Sequence, residues 1–289
     1  MPMDRDQFEA LVADEASAER YLLRHCWENH QRFCPRCKSR KNYRLKSGRR
    51  RCARCRYTFQ DFSGRWINNC NLSCRDWLRV MNLFAAEATA RQVSLELGLS
   101  YNTAYKAVNT LRFAIMAHAL DAKQLLGEQS CLGLTLSGRM LKDRPGPCGK
   151  VETPVFGIMD RREWVFVDLV PGFDAETILH FQLNFQLGLV RQGNVIYTDR
   201  YQRYDTLICC LGGSPAADYV RSSRRGVSID TAPEGFWSYA GQRLLKYHGV
   251  TPQRFPLYLK ELEFRYNSRT RELLPLLAAC VCDLVPDFS

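Results

Sequence analysis

The chain has 289 residues, 46% of them hydrophobic and 25% charged, with a formal net charge of +11. That apolar content excludes a disordered polymer, and the length allows two or three domains, each with its own core. No apolar run reaches the roughly 20 residues that span a bilayer, and no apolar signal core opens the chain, so the expectation is a soluble protein of a reducing compartment.

Residues 4–28 read as two short helices, with Leu22, Leu23, Cys26 and Trp27 forming an apolar face. Next come two tight cysteine pairs, Cys34-Pro35-Arg36-Cys37 and Cys52-Ala53-Arg54-Cys55. Thiolates in two such turns on facing hairpins can converge on one tetrahedral ion, and zinc is the ion expected for four sulfurs. Tyr43, Tyr57 and Phe59 alternate with polar residues, as half-buried strands do. From Arg32 to Arg56 the chain carries twelve Lys or Arg and no Asp or Glu, including Arg49, Arg50, Arg51 and Arg54. The first 122 residues hold 21 basic and 12 acidic side chains, a net of +9, which favours nucleic acid or an anionic membrane surface. A zinc fold with that charge points to phosphate, and so to double-stranded DNA. Of the other cysteines, Cys209, Cys210, Cys280 and Cys282 sit among apolar neighbours and read as buried thiols.

Residues 73–119 have helical periodicity. Ser73 or Asp76 caps a helix with Trp77, Leu78, Met81 and Phe84; a second covers Ala90–Leu97; a third starts near Asn102 after the Gly98-Leu99-Ser100 turn. Two short helices across a glycine turn match a helix-turn-helix, in which Tyr101, Asn102, Thr103, Tyr105 and Lys106 would face the major groove. The same pattern also suits an ordinary helical bundle.

Further on, Ser130–Leu136, Glu152–Met159, Trp164–Val170 and Asn194–Thr198 read as strands, with a helix at Ala175–Leu187, which suggests a mixed α/β sheet. Leu211–Ala232 reads as irregular. Pro233 opens a helix over Glu234–Tyr247, and a last helical region runs from Pro256 to about Leu277. Asp199 follows an apolar strand, Glu234 opens a helix, and Glu128 stands at the start of the first strand. Carboxylates at one sheet edge can hold two Mg²⁺ or Mn²⁺ ions for phosphoryl transfer. On pattern alone these are three among 30 acidic residues.

The order of segments resembles bacterial insertion-sequence transposases of the DDE class with an N-terminal zinc ribbon, a group related to eukaryotic Merlin elements. The matching segments are Cys34–Cys55, Thr89–Leu111, Gly149-Lys150-Val151, Pro154-Val155-Phe156-Gly157, Tyr197-Thr198-Asp199, Glu234-Gly235-Phe236-Trp237-Ser238 and Phe255–Asn267. The resemblance implies a multidomain α+β protein: helices and zinc ribbon in 1–66, helix-turn-helix in 67–122, and an RNase H-like mixed α/β catalytic domain in 123–289. It implies recognition of inverted-repeat element ends, metal-dependent strand cleavage and transfer with Glu128, Asp199 and Glu234 as the acids, a homodimer or larger assembly, and a cytoplasmic, nucleoid-associated location without membrane. This sequence departs from the family pattern at four places. Glu128-Gln129-Ser130 stands where the first Asp is usual, Arg221-Ser222-Ser223 replaces an Asn-His-Ser-like motif, Gly241 replaces a basic residue, and Arg200 replaces a Gly. Glu places its carboxylate about 1 Å or more beyond that of Asp, and two-metal geometry tolerates little displacement. Three readings follow: a transposase with impaired cleavage, a DNA-binding regulator or structural protein derived from one, and a zinc-ribbon scaffold for other proteins.

Overall fold

The computed structural model describes residues 4–27, 31–127, 155–161, 164–170, 188–197, 202–210, 219–223, 226–230, 239–240, 243 and 254–287. The chain forms two compact units, Met1–Ala119 with Arg271–Asp287, and Leu120–Thr270 with Phe288–Ser289.

In the first unit, α1 (Arg5–Leu11) begins with a capping box, in which the Gln7 N–H donates to Asp4 Oδ1 at 2.7 Å. Helix α2 (Glu15–Cys26) is capped by Asp14, which accepts the Ser17 N–H at 2.8 Å. Such caps satisfy donors the helix leaves open and contribute about 1 kcal/mol each. Leu22, Cys26 and Trp27 are buried as expected, and the Trp27 ring meets Phe33 edge-on, 5.1 Å between centroids. A small antiparallel sheet follows, β1 (Asn42–Arg44), β2 (Arg50–Cys52) and β3 (Thr58–Phe59), in that spatial order. Phe59 is buried, while Tyr43 and Tyr57 are exposed.

The helices of this unit are α3 (Cys74–Ala85), α4 (Ala90–Leu97) and α5 (Tyr101–Ala117), capped by Ser73, Thr89 and Ser100. Gly98 ends α4 with φ +63°, the left-handed conformation that glycine adopts without steric cost. The core holds Trp66, Trp77, Leu78, Met81, Phe84 and Leu111.

This core is completed from the far end of the chain. The sequence suggests one helical region from Pro256 to Leu277; the structure has two helices, α7 (Phe255–Asn267) and α8 (Leu273–Cys282), separated by the polar run Ser268-Arg269-Thr270-Arg271. The α8 sequence LLPLLAACVC has no charged residue, so it needs cover on more than one side. It finds that cover against α2, α3 and α5. Cys280 and Cys282 are buried there, as their neighbours suggest. Arg65 fastens the end of α8: buried at 2% exposure, its guanidinium donates to the carbonyl oxygens of Asp61, Cys26 and Cys282 and lies 4.3 Å from the Trp27 ring. Cys26 and Cys282 are the last residues of α2 and α8, so two helix dipoles present negative ends to this one cation.

In the second unit, α6 (Ala122–Leu126) precedes a mixed sheet of β4 (Val155–Arg161), β5 (Trp164–Val170), β6 (Gly188–Tyr197) and β7 (Gln202–Cys210), ordered β5-β4-β7-β6. β4 pairs antiparallel with β5 and parallel with β7; β6 and β7 are antiparallel. β6 starts earlier than expected, and β7 was not legible as a strand. β8 (Tyr219–Ser223) and β9 (Gly226–Asp230) form a hairpin in the stretch read from sequence as irregular, where Val227-Ser228-Ile229-Asp230 does alternate. The expected strand Ser130–Leu136, the expected helix Ala175–Leu187 and most of Glu234–Tyr247 lie outside the described residues. Helix α7 bonds the backbone of Val167 in β5: the Val167 N–H donates to Glu263 Oε2 at 2.8 Å and Lys260 Nζ donates to the Val167 carbonyl. Lys260 is 1% exposed and lies 2.9 Å from both Glu263 and Asp121.

Candidate metal centre and nucleic-acid interface

The four ribbon sulfurs, Cys34, Cys37, Cys52 and Cys55, lie within 4.8 Å of one another. Cys34 Sγ is 3.6 Å from Cys55 Sγ, and Cys37 Sγ is 3.5 Å from Cys52 Sγ. The two turns are built alike. The Lys38 N–H donates to the Cys34 carbonyl at 2.9 Å, and the Arg56 N–H donates to the Cys52 carbonyl at 3.1 Å. The residue after each second cysteine is left-handed, Lys38 at φ +57° and Arg56 at φ +61°. This closes each loop so that both its thiols aim inward.

The donor set fits zinc: four sulfurs, two of them fully buried, at a spacing that one tetrahedral ion can bridge. The Cys55 N–H donating to Cys52 Sγ at 3.5 Å holds that thiol down at about 6, whereas burial pushes Cys34 up to about 12. Bound zinc would supply the positive charge that keeps all four as thiolates.

Around this centre the basic run divides in two. Asp61 sits 3.1 Å from Arg32 and 3.6 Å from Arg50, and Arg50 also donates to Asn42 Oδ1 at 3.2 Å. This anchor, a carboxylate beyond the basic run, was invisible to reading by segment. Arg49, Arg51 and Arg54 are exposed.

On the helical side, the Ser94 hydroxyl donates to the Leu99 carbonyl at 2.7 Å and the Leu99 N–H to the Ser94 carbonyl at 3.1 Å, tying the turn between α4 and α5. Val93, Ala104, Ala107 and Val108 bury the inner faces of the pair. The first turns of α5 leave Tyr101, Asn102 and Lys106 exposed, with Thr103 and Tyr105 half-buried. The Tyr101 and Tyr105 rings stack, 5.9 Å between centroids. Glu128, Asp199 and Glu234 lie outside the described residues, as do Arg200 and Gly241. No helix among the described residues is long and apolar enough to cross a membrane.

Comparison with known proteins gives two family matches. Residues 127–267 match the ISXO2-like transposase domain, and residues 13–58 match the transposase zinc-ribbon domain; together they cover more than half of the chain. The first match ends before α8 begins. A transposase-like protein of Haemophilus influenzae is 26% identical over 104 residues, which is 36% of this chain and 81% of that protein. No solved structure matches. By these matches the chain carries a transposase zinc-ribbon domain ahead of an ISXO2-like transposase domain.

Proposed function

We propose that this protein is a transposase that recognises the ends of its element through the first unit and cleaves and transfers DNA strands through the second, with cleavage weakened by the change at the first acid. The ribbon carries this reading: a four-thiol centre inside a segment with twelve cations and no acid, followed by two capped helices in a helix-turn-helix order. In it, Tyr101, Asn102, Thr103, Tyr105 and Lys106 address base edges and the exposed Arg49, Arg51 and Arg54 address phosphates, while Arg50, expected from sequence to join them, is engaged by Asp61 and Asn42. Glu128, Asp199 and Glu234, in an RNase H-like domain, would hold Mg²⁺ or Mn²⁺, which when bound activates the attacking oxygen and offsets charge on the phosphate. We take the working form to be a homodimer or larger assembly at the nucleoid.

The test is cleavage of end-labelled element DNA in Mg²⁺ and in Mn²⁺. Weak cleavage that is abolished by Asp199→Ala and raised by Glu128→Asp is the expected result. Efficient wild-type cleavage in Mg²⁺ would show that Glu128 serves as well as Asp. A second reading is favoured by one observation, Glu128 with Gly241 and Ser222 in place of the family's residues: a transposase-derived DNA-binding protein without catalysis. It predicts tight DNA binding and no cleavage in either metal, including with Glu128→Asp, because groups that act as a unit are not restored singly.

A further inference from the structure

Each turn of the ribbon has the same charged signature around its second cysteine: Arg36-Cys37-Lys38 and Arg54-Cys55-Arg56. All four cations are exposed. Among the described residues none of them is ion-paired, in contrast to Arg32 and Arg50, which share Asp61. The Lys38 ammonium lies 5.4 Å from the Phe33 ring centre and keeps its outer side to solvent. Lys38 and Arg56 occupy left-handed positions, φ +57° and +61°, where a side chain is disfavoured and glycine would relax the turn. A basic side chain at both of the two strained positions points to a use for the charge. Four thiolates on divalent zinc give a centre with a double negative charge, which four cations exceed.

We infer that Arg36, Lys38, Arg54 and Arg56, flanking the two cysteine turns, form a phosphate clamp that adds to the backbone contacts of Arg49 and Arg51, while Arg32 and Arg50 hold the ribbon together through Asp61. The inference rests on the DNA-binding reading above. The clamp touches phosphate and so carries affinity without sequence preference.

The experiment uses full-length, zinc-loaded protein and a duplex of arbitrary sequence, with affinity measured across a salt series and zinc measured in the same samples. Combining Arg36→Gln, Lys38→Gly, Arg54→Gln and Arg56→Gly should lower the slope of log affinity against log salt by about 3 to 4, near 0.9 for each phosphate that is no longer neutralised. A second variant carries Lys38→Gly and Arg56→Gly alone. Its slope should fall by about 2 while a chelator removes zinc no faster, since the two turns are now relaxed. An unchanged slope in the pair overturns the inference, as does zinc loss from the pair, which would mean that the cations serve the metal centre. Wild-type protein with no salt-dependent binding would instead overturn the DNA-binding reading itself.

Discussion

The ribbon and α7 use cations in opposite ways. Flanking the two cysteine turns, Arg36, Lys38, Arg54 and Arg56 stand in solvent, with no carboxylate paired to them among the described residues. In α7, Lys260 and Arg265 are buried, and each is matched to a carboxylate, Lys260 to Glu263 and Asp121 at 2.9 Å and Arg265 to Glu261 at 2.8 Å. A surface cation without a partner is hydrated and costs the fold little, so its charge remains available to a ligand. A buried one is tolerated only where fixed acceptors replace the lost water. Position, more than residue type, separates the binding charges from the structural ones.

The comparison breaks most severely if the ribbon loses its metal. Cys34→Ser, or a strong chelator, should unfold residues 31–62, an effect on the order of 10 kcal/mol for a structural zinc site. Loss of amide protection confined to that segment is the expected readout, and intact protection without zinc would show that the sheet holds by itself. Zinc retention should also fall with acid. Cys34 and Cys37 are raised above the ordinary thiol value, Cys34 by burial, so their protons must leave on binding; affinity rises with pH through neutrality and drops as protons return.

A smaller effect tests the buried cations. Lys260→Met should cost roughly 3–5 kcal/mol, because Glu263 and Asp121 lose their counter-charge at a buried site. Urea denaturation measures it, and the further changes Glu263→Leu and Asp121→Leu should recover part of the loss. Burial already pushes the Glu263 carboxyl up, so the Lys260→Met protein should be relatively less impaired at low pH, where that carboxyl is neutral.

Arg65→Leu should be milder, about 2–3 kcal/mol, since the carbonyls of Cys26 and Cys282 lose one donor while α8 keeps its apolar packing. Faster hydrogen exchange over residues 273–285 is the signature expected. At the small end, Arg54→Gln should change stability by no more than about 0.5 kcal/mol. A change as large as that of Lys260→Met would erase the distinction drawn between the two regions.

Much of the first unit is legible in the sequence. The two cysteine pairs announce a metal centre because their spacing is fixed by the geometry of a turn. The cap at Ser73 and the turn at Gly98-Leu99-Ser100 could be read because capping and turn formation are local, while the caps at Thr89 and Ser100 emerged from the structure. Trp77, Leu78, Met81 and Phe84, read at helical spacing on one helix, all lie on α3 and are buried. The second unit was harder to read. β7 has no clean alternation, and its parallel pairing with β4, Phe156 opposite Thr206, lies beyond any short window of sequence; the β8–β9 hairpin is local, with an alternation over Val227–Asp230 that the irregular reading misses.

The sequence by itself determined the zinc ribbon's donor set, the charge around it and the succession of capped helices, all of which depend on residues close together in the chain. Only the tertiary structure decided that Asp61 withdraws Arg32 and Arg50 from the free cations, that Lys260 and Glu263 bond the backbone of Val167 in β5, and that α8 returns to the first unit under the hold of Arg65. Those outcomes depend on which apolar surfaces and which buried charges find cover, and cover comes from residues as far apart as Cys26 and Cys282.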